Sequence, residues 1–339
     1  MIRVGVIGYG TIGRRVADAV AAQPDMELVG VSKARPDYKT RTVAARGYAL
    51  FAPDEAAARA FEEAGYRVAG TQADLLAAVD VVVDCTPAGT AGRMKPLYEA
   101  AGVKAVFQGG EKPEIAGVSF TAQVNYNQAR GQRFVRVVSC NTTGLNRVLH
   151  AVHRRLPIAR ARVVLARKAT DSDDPDTGPV DAVVLDPPRA QVPAKHGADI
   201  ERVTGVPAVA MAFRIPNVRS HFHSLLLTFR DPSATAASVV EALEAATRVV
   251  FVDSREGIAS SAQVVDWARE LGRSRGDLYE VAVWRDSIAV EGGEAYFFMH
   301  VHMEAIVVPE NVDAVRAVAS DWPAEESIRV TNRTLGILK

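Results

Sequence analysis

The chain has 339 residues, of which 48% are hydrophobic and 24% charged, and its 40 basic residues balance 40 acidic ones. This length predicts two domains, and the composition is that of an ordinary globular protein. The balanced charge argues against binding to nucleic acid or a membrane surface, and no run is long and apolar enough to span a bilayer. Two cysteines are too few for a disulfide framework, which favours a reducing, cytoplasmic location.

The first 139 residues alternate buried strands with helical patterns, which is typical of a parallel α/β sheet. An apolar run at 2–7 ends in glycines, a helical pattern follows, and the next strand is predicted at 26–32. Further helices are predicted at 54–65 and 91–102, and further strands at 79–84, 103–108 and 134–139.

A glycine motif occupies the turn between the first strand and the first helix. Gly8, Gly10 and Gly13 form the pattern G-x-G-x-x-G. The first glycine suits a tight turn, the second lets a pyrophosphate approach the backbone, and the third lets helix and strand pack closely. A glycine turn without a ligand is the alternative. The position directly after a buried strand favours a Rossmann dinucleotide-binding domain over residues 1–139.

The end of the second strand bears on the choice of cofactor. NAD sites usually place a carboxylate there to bind the ribose 2′-OH. This chain has Lys33 and Arg35 there, and no carboxylate before Asp37. Two cations suit a 2′-phosphate, so we expect NADP to be preferred and NAD to be used as well. The alternative is that both cations are solvated loop charges.

Beyond residue 139 the strands become longer and the pattern changes. Helices are predicted at 142–155, 236–248 and 261–272, and strands at 161–169, 221–229, 280–286 and 295–308. We therefore predict an α+β catalytic domain over 140–302 with a mixed or antiparallel sheet. Helices over 303–339 are expected to return to the first domain. The stretch from Thr170 to Gly197 is rich in Asp and Pro, which favours a long loop or linker.

Cys140 follows a predicted strand and opens a predicted helix. The free N–H groups of a helix N-terminus stabilise a thiolate and lower the pKa of such a thiol. Asn141, Thr142 and Thr143 add donors near an oxyanion formed on an attacked carbonyl. Together with a dinucleotide domain, this cysteine indicates aldehyde oxidation through a thioester. The alternative is an inert buried cysteine, which is our interpretation of Cys85.

Six blocks of the sequence resemble archaeal-type (class II) phosphorylating glyceraldehyde-3-phosphate dehydrogenase. They are GYGTIGRRVADAV, QPDMELVGVSKARPDY, FQGGEKPE, VRVVSCNTTGLNRVL, VVPENVDAVRA and RVTNRTLGILK. They occur in the family's order and cover nearly the whole chain, and SCNTTGL together with QGGEK is highly specific. The resemblance implies conversion of glyceraldehyde-3-phosphate, inorganic phosphate and NAD(P) to 1,3-bisphosphoglycerate by a homotetramer, within glycolysis or gluconeogenesis.

The resemblance also implies roles for individual residues. Cys140 is the expected nucleophile and His221 the expected base, with His223 as the alternative base. The residues expected to bind substrate or phosphate are Ser139, Asn141, Lys195 and His196. Thr170 is a further candidate phosphate donor, from its position at the end of the predicted strand 161–169 rather than from the resemblance. The residues expected to contact the cofactor, besides the glycines and Lys33, are Thr11, Ile12, Gly110, Arg167 and Met303.

Two of these positions depart from the family pattern. Lys195 replaces the first of two adjacent histidines, and a cation there still suits a phosphate. Met303 replaces a glutamine that contacts the cofactor in the family, which bears on that contact and on cofactor preference.

The remaining alternatives concern metal binding and reaction type. The pairs His221/His223 and His300/His302 have spacing suited to zinc, but no carboxylate or thiol accompanies them, so no metal is expected. A non-phosphorylating or semialdehyde dehydrogenase would use the same thiol chemistry. A non-catalytic NADP-binding protein would retain only the fold.

Overall fold

The computed structural model describes residues 1–108, 110–170, 181–186, 192–217 and 219–338. The contacts between residues divide the chain into two compact units. The first comprises Met1–Ser139 and Val307–Gly336, and the second comprises Cys140–Ile306 and the residues from Ile337 onward.

The first unit is built on a parallel sheet. Its strands are β1 (Ile2–Ile7), β2 (Met26–Ser32), β3 (Leu50–Ala52), β4 (Gly70–Thr71), β5 (Val81–Asp84), β6 (Lys104–Phe107), β7 (Val118–Phe120) and β8 (Phe134–Val137). Their order is β4-β3-β2-β1-β5-β6-β8-β7, and the pairs are parallel. The chain builds outward from β1 in both directions. The carboxyl end of β1 is therefore a switch point, where sheets of this kind bind ligands.

Helices connect these strands. They are α1 (Gly13–Ala21), α2 (Thr40–Ala45), α3 (Glu55–Glu63), α4 (Gln72–Ala78), α5 (Ala91–Ala100) and α6 (Ala122–Ala129). In α1, for example, Val16, Ala17 and Val20 are completely buried, as the helical spacing predicts.

The second unit holds a mixed sheet and four helices among the described residues. Its strands are β9 (Ile158–Lys168), β10 (Val184–Leu185), β11 (Ala208–Ile215), β12 (Ser220–Phe229), β13 (Val249–Val252), β14 (Val281–Trp284), β15 (Ala289–Glu291) and β16 (Glu294–His302). Its helices are α7 (Cys140–His153), α8 (Lys195–Thr204), α9 (Ala236–Glu244) and α10 (Ser261–Glu270). The long strand β12 lies between β9 and β16 and pairs antiparallel with both.

Two C-terminal helices, α11 (Val308–Ala319) and α12 (Ala324–Leu335), belong to the first unit. Glu310 on α11 accepts a hydrogen bond from the backbone N–H of Ala122 at 2.6 Å, which ties α11 to α6. The buried Arg316 side chain donates to Asp25 at 2.7 Å. These charged contacts tie α11 to the start of α6 and to the loop before β2.

The predicted α/β class, with a Rossmann-like sheet and a second mixed sheet, is confirmed. Helix α7 begins at Cys140 rather than at 142, and β16 ends at His302 rather than continuing to 308. Residues 303–306 group with the second unit, because the Met303 N–H donates to the Arg219 carbonyl and Ile306 accepts from Arg147.

The stretch expected to be a loop from Thr170 to Gly197 contains β10 and the first turn of α8. Its parts at 171–180 and 187–191 lie outside the described residues. Within the described ranges, no helix combines the length and the hydropathy needed to cross a bilayer.

Candidate active site

Cys140 is the first residue of α7, and its side chain is half-buried. The residues that follow it, Thr142 and Thr143, are completely buried. A Cβ added at Gly144 would lie 2.5 Å from Cγ2 of Val301, so the glycine lets α7 approach β16 closely. This close packing fixes the sulfur against the end of the mixed sheet.

The imidazole of His221 lies close to this sulfur. Its Nε2 lies 3.3 Å from Sγ of Cys140, although the two residues are 81 positions apart. The Nδ1 atom accepts a hydrogen bond from the backbone N–H of Lys168 at 3.0 Å. Burial first, and then the positive charge of Arg167, hold the pKa of His221 well below its usual value. The ring is therefore neutral at physiological pH.

Asn141 and His223 extend the group of contacts. His223 Nε2 lies 2.8 Å from Oδ1 of Asn141, and Asn141 Nδ2 lies 3.8 Å from Sγ of Cys140. The rings of His221 and His223 are almost parallel, with centroids 6.2 Å apart. Burial lowers the pKa of His223 to about 3. His223 thus contacts the amide beside the sulfur, whereas His221 contacts the sulfur itself.

A second histidine approaches the same helix from α8. His196 Nδ1 lies 3.4 Å from the hydroxyl oxygen of Thr142, and burial lowers the pKa of this histidine to about 3. Lys195, the neighbouring residue, is exposed at the start of α8. Thr170, two residues beyond the end of β9, is half-buried. Of the proposed substrate-binding residues, Asn141 belongs to the first turn of α7 and His196 contacts that turn.

Two predicted cofactor contacts also belong to the second unit. Arg167 on β9 forms a salt bridge with Asp186. Met303 is buried directly after β16, and its backbone N–H donates to the Arg219 carbonyl at 3.4 Å.

Ser139 is half-buried directly before Cys140. Among the described residues, no group of three or more His, Cys, Asp or Glu side chains is arranged to hold a metal ion.

The glycine turn of the first unit has the geometry that a bound dinucleotide needs. Gly8 has φ of +90°, and a Cβ there would lie 2.8 Å from the backbone of Cys85. A Cβ at Gly13 would lie 2.0 Å from the Gly8 carbonyl oxygen, whereas one at Gly10 would have nothing within 4 Å. Gly8 and Gly13 are thus required for packing, whereas Gly10 leaves open space beside the helix N-terminus.

The other predicted residues of this unit are Thr11, Ile12, Lys33 and Gly110. Thr11 is buried and Ile12 half-buried, directly before α1. Lys33 is buried, and its Nζ lies 2.6 Å from Oδ2 of Asp37. Gly110 has φ of +115°, which a side chain would strain. The cation at the end of β2 is therefore paired with a carboxylate of its own loop.

Several functional contacts were not evident from the sequence. The backbone N–H of Lys168 and the carboxylates of Asp37 and Asp186 each bind a predicted site residue. The bond between His223 and Asn141 had one signal, the His-x-His spacing that places His223 on the same strand face as His221.

A glycine turn on a parallel sheet, together with a thiol–imidazole pair, is typical of a thiol-dependent, NAD(P)-dependent dehydrogenase. The family model for the glyceraldehyde 3-phosphate dehydrogenase C-terminal domain matches residues 139–287. The model for the dihydrodipicolinate reductase N-terminus matches residues 2–110.

Curated relatives match the whole chain. It is 47% identical over 338 residues to the glyceraldehyde-3-phosphate dehydrogenases of Thermococcus kodakarensis and Pyrococcus abyssi, covering 100% of this chain and 99% of each relative. It is 45% identical over 341 residues to that of Methanobrevibacter smithii, covering 100% of both chains. The chain belongs to the glyceraldehyde-3-phosphate dehydrogenase family, in its archaeal type.

A solved structure supports the fold at lower identity. Aspartate semialdehyde dehydrogenase II from Vibrio cholerae has a TM-score of 0.64 at 13% identity, covering 95% of this chain and 100% of its own. The same enzyme complexed with ASA has a TM-score of 0.66 at 12% identity. The architecture is therefore shared with semialdehyde dehydrogenases.

Proposed function

We propose that the protein oxidises glyceraldehyde-3-phosphate in the presence of inorganic phosphate to 1,3-bisphosphoglycerate, with NADP preferred over NAD. The observation that carries this proposal is the 3.3 Å approach of His221 Nε2 to Sγ of Cys140 at the start of α7. The family names of the relatives support the substrate, and the contacts around the sulfur support the chemistry.

The proposed reaction proceeds through the Cys140 sulfur. The thiolate adds to the aldehyde carbon, so that a C–S bond forms and the carbonyl electron pair moves to oxygen. When the carbonyl re-forms, hydride leaves and a thioester remains. A phosphate oxygen then attacks the thioester carbon, the C–S bond breaks, and the thiolate is released with the acyl phosphate product. Asn141 and His221, which flank the sulfur, would stabilise the charged species.

A nicotinamide dinucleotide supplies the hydride acceptor when it is bound. The residues proposed to hold it are Gly8, Gly10, Gly13, Thr11, Ile12 and Gly110. The open space at Gly10 supports this, because a backbone without a side chain is what close approach of a pyrophosphate requires. Arg167 and Met303 stay proposed cofactor contacts from the resemblance.

The preference for NADP depends on Lys33. Its ammonium group at the end of β2 can bind a 2′-phosphate, and the nearest carboxylate, Asp37, bonds the lysine at 2.6 Å. A 2′-phosphate would therefore compete with Asp37 for this cation, whereas a ribose 2′-OH would not displace it. This competition would allow both cofactors to be used.

The substrate phosphate and the attacking phosphate need cationic or donor groups near Cys140. We propose Thr170, Lys195 and His196 for these sites, with Ser139 and Asn141 near the aldehyde. The contact between His196 and Thr142 supports a position close to the thiol. A homotetramer and a cytoplasmic location stay predictions.

The decisive experiment is steady-state oxidation of glyceraldehyde-3-phosphate with NADP and with NAD, each with and without phosphate. We expect reduced cofactor to accumulate over many turnovers only when phosphate is present. An unchanged rate without phosphate would indicate a non-phosphorylating dehydrogenase. A Cys140→Ala variant with the same behaviour as the wild type in every assay would indicate a non-catalytic binding protein.

A further inference from the structure

The carboxylate of Glu111, after β6, reaches the turn of residues 85–90 between β5 and α5, the β5–α5 turn. Its Oε1 accepts hydrogen bonds from the backbone N–H of Gly89 at 2.8 Å and from that of Ala91 at 3.3 Å. Ala91 is the first residue of α5. Thr90, directly before it, makes no capping hydrogen bond with its own side chain within the described part of the chain. Glu111 therefore caps α5 from 20 residues further along the sequence.

A carboxylate suits the start of α5 for a physical reason. The first N–H groups of a helix have no partner within the helix, and the helix dipole places partial positive charge at that end. The first turn of α5 contains no acidic residue of its own. Glu111 thus supplies both the hydrogen-bond acceptor and the negative charge that this end of the helix favours.

The backbone that carries Glu111 is itself fixed to the sheet. The buried guanidinium of Arg136 on β8 donates to the backbone carbonyl of Glu111 at 2.9 Å. The same guanidinium donates to the hydroxyl oxygen of Ser119 on β7 at 2.9 Å. Glu111 is therefore held through its backbone by two neighbouring strands, while its side chain holds the β5–α5 turn.

The β5–α5 turn packs against two of the glycines proposed to contact the cofactor. A Cβ added at Gly8 would lie 2.8 Å from the backbone carbonyl of Cys85. A Cβ added at Gly110 would lie 3.3 Å from Cβ of Ala88. A displacement of the β5–α5 turn would therefore change the space beside both glycines.

The first half of the β5–α5 turn is fixed by a different carboxylate. One oxygen of the buried Asp84 accepts from the N–H of Thr86 at 2.9 Å and from its hydroxyl at 2.6 Å. The other oxygen accepts from the hydroxyl of Tyr98 on α5 at 2.8 Å. Because these contacts do not involve Glu111, loss of the Glu111 carboxylate should free the second half of the turn and leave β5 in place.

We propose that Glu111 is a positioning residue for the dinucleotide, because its carboxylate holds the β5–α5 turn in the conformation that binds the cofactor. The proposal rests on the proposed function, which assigns the cofactor to the glycine turn. Without the carboxylate, the turn occupies further conformations, and the apparent affinity falls with the fraction of molecules in the binding conformation. Lys33 lies at the end of β2, which pairs with the other edge of β1. The loss should therefore be the same for NADP and NAD.

The binding test compares Glu111→Ala and Glu111→Gln with a matched control, Glu114→Ala. Glutamine keeps an acceptor oxygen without the charge, whereas Glu114 is exposed and has no hydrogen bond or ion pair among the described residues. We expect the dissociation constants of NADP and NAD to rise by about 10-fold each in Glu111→Ala and by less in Glu111→Gln, with kcat at saturating cofactor changed less than about twofold. Unchanged dissociation constants in Glu111→Ala, a rise for one cofactor alone, or an equal rise in Glu114→Ala would overturn the proposal.

A second measurement uses the protein without cofactor. Amide hydrogen exchange reports on the N–H groups of Gly89 and Ala91, which bond the Glu111 carboxylate. We expect both amides to exchange about 10-fold faster or more in Glu111→Ala, with exchange in β1 unchanged. Equal exchange in the variant and the wild type would overturn the proposal, and Glu111→Gln decides in the same way if the alanine variant does not fold. Normal binding of both cofactors with phosphate-independent oxidation by the wild type would overturn only the proposed function.

Discussion

The imidazole of His223 and the amide of Asn141 are joined by a buried hydrogen bond of 2.8 Å between Nε2 and Oδ1. An amide oxygen can only accept, so His223 donates, and the Asn141 Nδ2 is left facing Sγ of Cys140 at 3.8 Å. The reversed amide would place its oxygen against the sulfur and oppose a thiolate. We therefore expect His223 to be a positioning residue that acts on the sulfur through Asn141.

Replacing His223 with phenylalanine keeps a ring but removes the donor. We expect kcat to fall by about 10-fold, because a hydrogen bond to a charged group contributes about 1.5 kcal/mol or more. The KM for the cofactor should be unchanged. In an Asn141→Ala background, the same change at His223 should have almost no further effect on kcat. Additive losses in this double-mutant cycle would show that His223 only supports the fold.

The glycine turn offers a matched pair of substitutions. Gly13→Ala places a Cβ 2.0 Å from the Gly8 carbonyl, so we expect the free energy of unfolding to fall by about 3 kcal/mol. Gly10→Ala meets no atom within 4 Å, so its stability should be close to that of the wild type, whereas its affinity for NADP should fall by about 10-fold or more. Urea unfolding and fluorescence titration measure the two effects. Unchanged affinity in Gly10→Ala would place the dinucleotide elsewhere.

Much of the first unit follows from local sequence. β1 and β2 have the bounds that their buried apolar runs predict, and α1 begins at Gly13 because the glycine turn ends there. The start of α8 was not predicted, because Lys195 follows a stretch rich in Asp and Pro whose local signal is that of a loop.

In the candidate site, too, some features could be predicted from local sequence and others could not. Cys140 could be identified from its place between a strand and a helix, which is a local property. Its contact with His221 depends on the register of β12 between β9 and β16, which no local pattern specifies. The resemblance supplied that histidine. It did not supply the Lys168 N–H, because the partner is a backbone group whose identity leaves no trace in the sequence.

Substitutions at Lys33 and at Asp37 should change the affinity for NADP in opposite directions. Lys33→Glu places a carboxylate where a 2′-phosphate would bind, so we expect the affinity for NADP to fall by about 100-fold and that for NAD far less. Asp37→Asn removes the competing carboxylate and should strengthen NADP binding while leaving NAD almost unchanged. Dissociation constants for both cofactors measure these effects. Equal losses for the two cofactors in Lys33→Glu would refute this account of specificity.

The two cysteines should differ in reactivity. Both thiols are half-buried, but Cys140 lies at the start of α7 beside His221. Burial, and then the charge of Asp84, raise the pKa of the Cys85 thiol. We therefore expect iodoacetamide at pH 7 to alkylate Cys140 about 10-fold faster or more, with activity lost in parallel. Peptide mass spectrometry measures the two rates, and comparable labelling of both thiols would contradict the assignment of the nucleophile.

The buried histidines should make the fold sensitive to acid. Burial lowers the pKa of His196, His223 and His300 to about 3, whereas an unfolded histidine titrates near 6.5. Between these values the unfolded chain binds more protons than the folded one, so the free energy of unfolding falls as the pH decreases from about 6.5 toward 3. At pH 5 the loss should be about 1 to 2 kcal/mol for each ring.

His300 allows this to be measured at one position, because neither of its ring nitrogens has a hydrogen-bond partner among the described residues. His300→Gln removes the titrating group, so the decrease in unfolding free energy between pH 7.5 and pH 5 should be smaller than in the wild type by about 1 to 2 kcal/mol. His153→Gln, at a half-buried ring, is the control and should change this decrease less. Urea unfolding at both pH values and one protein concentration gives the comparison. If His300→Gln lost as much stability as the wild type on acidification, the acid sensitivity would come from other groups. A ring that stays neutral in the folded chain binds a proton when the chain unfolds in acid, so its removal must reduce the dependence of the unfolding free energy on pH.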